Sequence, residues 1–523
     1  MSMRTIRTFR SCLVFFGLLA ASAARAQTSP PANAEPVQEP AKEAPADEPV
    51  KGPSKNEAAV SVSPAREAYG GAPPPAAPED SWFKRQPYEF TTNGWKLTVY
   101  GNLEFNVFHD NTRSFQEGPG NGLVAREGTY PNTVGRLIIT SRNSRIGFKM
   151  EAPTADGIKT TALFEGDFDG NQPANPQMGI TESSYYTAGT FRIRYANVKL
   201  ESDVVDVLAG QALNLFGGSP FFFPCTAFNL GLPNMVFSRT PQLRIMKTIK
   251  TDAINVDIGI AALRPPQRDS ELPDGQGALR ISLNKWKGLH TPAYAFTTVD
   301  PAAIGVSGAV RRFKVDQFAA VPTLQNKANG WGLSVDAFLP VIPVKDAFDR
   351  SNALTLNGSF TTGKGIADLY GMTGGVSFPT LPPVAPATTG TAFAADIDPG
   401  TAVYDAAGVL HTIPWQTFMA GFQYYLPPTG RVFISANYTQ GQSKGTDNIV
   451  DVVGGAPTDA TGAVTNGRAK TVFKKSQYFD ANLFFDVTRA VRTVVAYEQI
   501  KQTFGDNATA TNKRFMFCLY YQF

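Results

Sequence analysis

The chain has 523 residues and is rich in glycine (47), phenylalanine (37) and tyrosine (17), a balance that suits β structure more than helix. Its 48 basic and 44 acidic residues include four basic residues among the first 26; without these, 44 stand against 44, which argues against a nucleic-acid binder. Of three cysteines only Cys225 and Cys518 lie beyond the N-terminal leader, and the three histidines (His109, His290, His411) are isolated, so neither a disulfide scaffold nor a metal or histidine-based hydrolytic site is expected, and no cofactor is called for.

Arg4, Arg7 and Arg10 precede an apolar run from Cys12 to Ala21, and Ala24-Arg25-Ala26 makes a small-x-small cleavage site. Residues 1–26 are therefore expected to be a secretory signal peptide, with Gln27 beginning the mature chain. From 27 to 93 the sequence is dominated by Pro, Ala and Glu and holds thirteen of the 39 prolines. Proline at that density forbids a helix or coiled coil, so a disordered periplasmic tail is expected there, either a plain spacer or a tether to the cell wall.

Beyond 94 apolar and polar residues alternate with period two. In the first stretch Leu97, Val99, Leu103, Phe105 and Val107 take one face and Thr98, Tyr100, Asn102, Glu104 and Asn106 the other. Sixteen strands are predicted, at 94–108, 134–151, 158–168, 190–200, 204–212, 240–250, 253–263, 277–284, 303–313, 330–339, 352–362, 414–426, 430–441, 473–487, 490–503 and 513–523. Short turns alternate with long loops along the series, although two connections on the short side, 285–302 and 340–351, exceed the pattern. After the leader no stretch is apolar enough for a transmembrane helix. Alternating strands with short turns at one end and long loops at the other predict an all-β fold, a transmembrane antiparallel β-barrel of about 16 strands spanning 94–523 in the outer membrane.

The end of the chain, "KRFMFCLYYQF", fits that reading. Phe515, Phe517, Leu519, Tyr521 and Phe523 would face lipid, and the last strand must pair with the first, because an open edge in lipid leaves backbone groups unsatisfied. A terminal aromatic such as Phe523 is also the feature that barrel assembly machinery reads. Sixteen strands enclose an aqueous lumen that something must narrow. The third long loop, 213–239, is unusually aromatic, with Phe221, Phe222, Phe223, Cys225 and Asn229, and is expected to fold into the lumen; packing at a subunit interface is the other reading. Cys225 and Cys518 would then share the waist, either as a disulfide or as two unrelated small apolar residues.

The stretches "NSRIGFKMEAPTADGIKTTALFEGDFDG", "FRIRYANVKL", "VLAGQALNLFGG" and "SRTPQLRI", in this order, resemble the DcaP-like outer-membrane porins, relatives of the trimeric general porins. That resemblance implies a homotrimer, a pore narrowed by the third loop, and uptake of small solutes, often dicarboxylates. It also implies lumen-facing arginines at Arg145, Arg192 and Arg239, with Arg194 sharing the face of Arg192 while Phe191, Ile193 and Tyr195 point to lipid. Arg244 and Lys149 complete the candidate pore cations. Residues 213–238 contain no Asp or Glu. Glu165, Asp167 and Asp169 are expected in the vestibule, away from the waist, so the arginines should be unbalanced and favour small anions. The expected function is a passive channel with partners limited to lipid, its own copies, the assembly machinery and solute. A wall-tethered structural barrel and an outer-membrane lipase are the alternatives; no G-x-S-x-G elbow supports the latter.

Overall fold

In the computed structural model the described residues are 88–115, 117, 124–170, 189–218, 221, 224–228, 232–266, 270–293, 297–316, 323–344, 350–371, 401–404, 409–445 and 473–523. The signal peptide, most of the tail, Phe222, Phe223 and Asn229 lie outside them.

The strands in chain order are β1 (Tyr88–Thr92), β2 (Trp95–Asp110), β3 (Arg136–Thr140), β4 (Arg145–Glu151), β5 (Lys159–Asp167), β6 (Arg192–Glu201), β7 (Asp206–Leu213), β8 (Met235–Val236), β9 (Arg239–Lys250), β10 (Ile254–Leu263) and β11 (Asp274–His290). They continue with β12 (Thr298–Asp316), β13 (Gln325–Ile342), β14 (Leu354–Lys364), β15 (Tyr370–Gly371), β16 (Ala402–Tyr404), β17 (Leu410–Thr412), β18 (Pro414–Tyr425), β19 (Val432–Gln442), β20 (Phe473–Asp486), β21 (Val491–Phe504) and β22 (Thr509–Gln522). Eighteen of these form one sheet. β3 and β4 both pair with β2 and make one stave broken at 141–144, and β1 extends an edge, so the wall has the sixteen staves predicted. The sheet closes where β2 pairs with β22, from Asn102↔Gln522 to Asp110↔Arg514.

Closure follows from the side-chain pattern. On β22 Phe515, Phe517 and Tyr521 are exposed, while Arg514, Met516, Cys518 and Tyr520 are buried. The same holds on β20, where Phe479, Leu483 and Phe485 face outward and Asp480, Asn482 and Phe484 inward. The outer face is thus apolar on stave after stave, which water would not tolerate and hydrocarbon requires. Sequence alternation and orientation agree because each stave separates two different solvents.

Two local departures matter. Residues 88–92, expected within the tail, form a strand that pairs with Trp95–Val99 through a two-residue turn. Tail composition concealed it: Tyr88 and Phe90 alternate with Glu89 and Thr91, but only for five residues. On β6 the ladder jumps from Glu165↔Tyr195 to Gly166↔Ile193, leaving Arg194 as an extra residue. This bulge reverses the phase. Tyr195, expected to face lipid with Ile193, is instead buried on the inward side opposite Glu165.

Candidate functional site: the charged wall and the third loop

The wall built by β2, β4, β5 and β6 carries the charges. The break at 141–144 lets Asn143 and Ser144 turn toward Glu104: the Asn143 amide donates to Glu104 Oε2 (3.0 Å), and the Glu104 backbone N–H donates to Ser144 Oγ (2.9 Å). Asn102 and Asn106 amides also donate to this carboxylate (2.6 and 3.2 Å), and Arg145 reaches it at 3.4 Å. Arg145 sits opposite Asp167 in the ladder, and Asp167 sits opposite Arg192. Arg192 forks onto Asp167 through Nε and Nη2 (2.9 and 2.7 Å). Arg194, held inward by the bulge, bonds Glu165 (2.6 Å) and Asp167 (2.8 Å). Tyr100 donates to the other oxygen of Glu165 (2.9 Å), its ring lying where a Cβ on Gly147 would be only 2.2 Å away. Glycine in "SRIGFK" is what allows that crossing.

Asp169 continues the network, 3.1 Å from Arg192 and 3.6 Å from Arg142. The three acids expected in the vestibule therefore lie among the arginines. That corrects the picture of an unbalanced ladder: Arg145, Arg192 and Arg194 each have a carboxylate partner. Sequence spacing could not reveal this, because ladder register aligns the upper end of β5 with the start of β4 and of β6.

The remaining candidates separate from this cluster. Lys149 pairs with Glu151 near the opposite end of β4 (2.8 Å). Arg244 is fully buried, bonding the Gln242 side chain (2.7 Å) and the Leu213 carbonyl. Arg239, expected to face the lumen, instead starts β9 in phase with the exposed Leu243 and Ile245, where β6 and β7 have parted above Ala196↔Gln211. Its guanidinium lies over Phe237 (4.9 Å) and Tyr195 (5.6 Å), and among the described residues it has no ion-pair partner. Those cation–π contacts favour the cation without cancelling its charge.

The third loop crosses the lumen. It leaves β7 and is first pinned by its backbone, Phe216 N–H to Gln276 (2.9 Å) and Gly217 N–H to Ser307 (2.8 Å) on β11 and β12. Further on it meets the far wall: Ser435 and Asn437 donate to the Cys225 carbonyl (2.7 and 2.8 Å), and Ala227 N–H donates to Asn482 (3.0 Å). Thr439 donates to the Pro233 carbonyl (2.6 Å), and β8 then pairs with β15 before the chain rejoins the wall. Phe221 packs beneath the Arg280 guanidinium (4.4 Å), and Phe228 meets Phe108 edge to face (4.8 Å). Cys225 and Cys518 share one buried cluster as free thiols, so the disulfide reading is set aside. The inward side chains that hold the loop were not singled out in the sequence; each is an ordinary polar residue on an inward position, and only the loop's backbone gives it a role.

A closed barrel with an apolar outer face, a charged inner wall and its third loop across the lumen has the fold of an outer-membrane porin. No protein-family model matches the chain, and no curated protein matches it. Among solved structures it is similar to the outer membrane channel DcaP of Acinetobacter baumannii, with a TM-score of 0.56 at 14% identity, covering 83% of this chain and 99% of that one. The fold is thus DcaP-like. More distant likenesses are to an anion-selective porin from Comamonas acidovorans (TM-score 0.41, 12% identity, 82% and 100% covered) and OmpF of Salmonella typhi (0.43, 11%, 83% and 100%).

Proposed function

We propose that the protein is a passive outer-membrane diffusion channel for small hydrophilic solutes, acting as a homotrimer and performing no chemical step. The observation that carries this reading is the third loop, seated on both walls by backbone hydrogen bonds: it narrows a sixteen-stave lumen while remaining inside it. Selection then rests on size and on the field of the charged wall.

A weak preference for anions such as carboxylates is the finer proposal. Its support is Arg192, whose side chain is 37% exposed and so presents a cation to the lumen in spite of its pairing with Asp167. Because Asp167 and Glu165 offset most of the wall, the preference is small. The test is the reversal potential in a planar bilayer under a potassium chloride gradient. Wild type should favour chloride slightly, and Asp167→Asn should strengthen that by unmasking Arg192 and Arg194. A wild type selective for potassium ends the anion proposal; absence of any conductance ends the channel proposal itself.

A further inference from the structure

The described residues of both overlong connections on the periplasmic side turn inward at Gly288–Ala293 and at Arg350. In the wall, β11 exposes alternate residues, Leu279, Ile281 and Leu283. Its ladder with β12 then jumps from Leu283↔Ala302 to Lys287↔Pro301, so that Asn284, Lys285 and Trp286 are unpaired. Beyond the jump alternation ends: Gly288 to Ala293 are all buried, as are Thr298, Val299 and Asp300 on the returning strand. A strand buried on both faces has left the wall, which can bury only one.

Its destination is across the mouth. Thr291 N–H donates to Gln423 on β18 (3.0 Å), and Arg492 on β21 donates to the carbonyls of Pro292 (2.9 Å) and Ala293 (3.0 Å). In the sheet β21 stands six staves from β12, so the hairpin bridges much of the lumen. Leu289, Ala293 and Val299 pack in one cluster with Cys225, Ala227 and Phe228 of the third loop. Asp486 holds Arg492 in place (Nε to Oδ1, 2.6 Å) and binds Arg350 of the second overlong connection (2.8 Å), and Ala353, just beyond that connection, joins the same cluster.

We infer that Gly288–Ala293 with Thr298–Asp300 form a second constriction, at the periplasmic exit, latched to the far wall through Arg492 and Asp486. The inference rests on the channel reading. The third loop narrows the pore from above, and the hairpin meets it from below. Release of the latch widens the exit without disturbing the charged wall.

Single-channel conductance and liposome swelling with a neutral trisaccharide test this on three variants of the full chain: Arg492→Gln, Asp486→Asn, and one in which residues 288–300 are replaced by Asn-Gly. Assembly is checked by heat-modifiable migration. The replacement should raise conductance about twofold or more and admit the sugar, because lumen cross-section sets both; the point variants should show frequent excursions to that level. Assembled replacement protein with wild-type conductance overturns the inference while leaving the channel intact. Should the replacement not assemble, unchanged traces from both point variants overturn it equally. A silent wild type ends the channel reading on which the latch rests, and the latch with it.

Discussion

Glu117 lies in the connection between β2 and β3, folded down so that Arg142 donates to its carboxylate (2.8 Å), as does Thr140, while Arg514 donates to its backbone carbonyl. Burial pushes its carboxyl from 4.5 up to about 7; the charge of Asp169 adds to this, while Thr140 and Arg142 oppose it. The folded chain therefore holds the proton more tightly than the unfolded one. Its stabilising contribution is complete below pH 4.5 and is lost as pH rises through about 7. The unfolding temperature of the barrel in detergent should fall across that window, and Glu117→Gln should flatten that part of the profile. An identical slope in the variant would show that other groups titrate there. At this scale the sequence placed Arg145 and Arg192 on the polar face of their staves by alternation, but it misplaced Arg239, whose phase on β9 is that of the exposed Leu243 and Ile245. It did not tell that Asp167 serves both Arg192 and Arg194, because register between staves is invisible along a single stave.

The bulge on β6 is an element with a price attached, and β7 covers it. Bulging frees backbone carbonyls at Ile193 and Arg194, on a face where no water can satisfy them. Gln211, pairing opposite Ala196, donates its amide to Ile193 O (2.7 Å) and to Arg194 O at the longer distance of 3.5 Å. The preceding Gly210 has φ of +125°, and a Cβ there would lie 2.3 Å from the Ala196 carbonyl. The "AGQ" stretch, noticed in the sequence only as part of a resemblance, thus has a physical task. Gln211→Leu should destabilise the barrel by about 1–3 kcal/mol, the range for leaving a buried acceptor unsatisfied. Guanidinium unfolding in detergent measures it. A midpoint equal to that of wild type would mean another donor takes over.

For the molecule as a whole, the seam decides whether the barrel holds. β22 occupies the edge of β2 from Asn102 upward; Phe523 and Gly101 exchange backbone hydrogen bonds (both 3.0 Å), and β1 takes the same edge from Val99 down. Two segments from opposite ends of the chain thus share one edge. Deleting residues 27–85 should leave heat-modifiable barrel unchanged, since β1 survives. Extending the deletion to 93 uncovers the Trp95–Val99 edge and should lower the yield of folded barrel, with removal of Phe523 slowing assembly separately. Equal gel patterns from the two deletions would deprive β1 of any part in closure.

The sequence by itself determined the wall. A membrane barrel has one solvent outside and another inside, so every stave must repeat the same period-two code, and sixteen strands could be read with their facing side chains. The aromatic composition and missing charges of the third loop also announced that it would not lie in water. Tertiary structure alone decided what fills the lumen. There no periodicity applies, and the contacts join residues far apart in the chain, as Ala227 with Asn482, Arg492 with Pro292 or Asn234 with Thr439. The pairing of acids with arginines, the inward turn of Tyr195 and the hairpin beneath the third loop all depend on register and on which stave closure brings opposite, quantities that exist only once the sheet has closed.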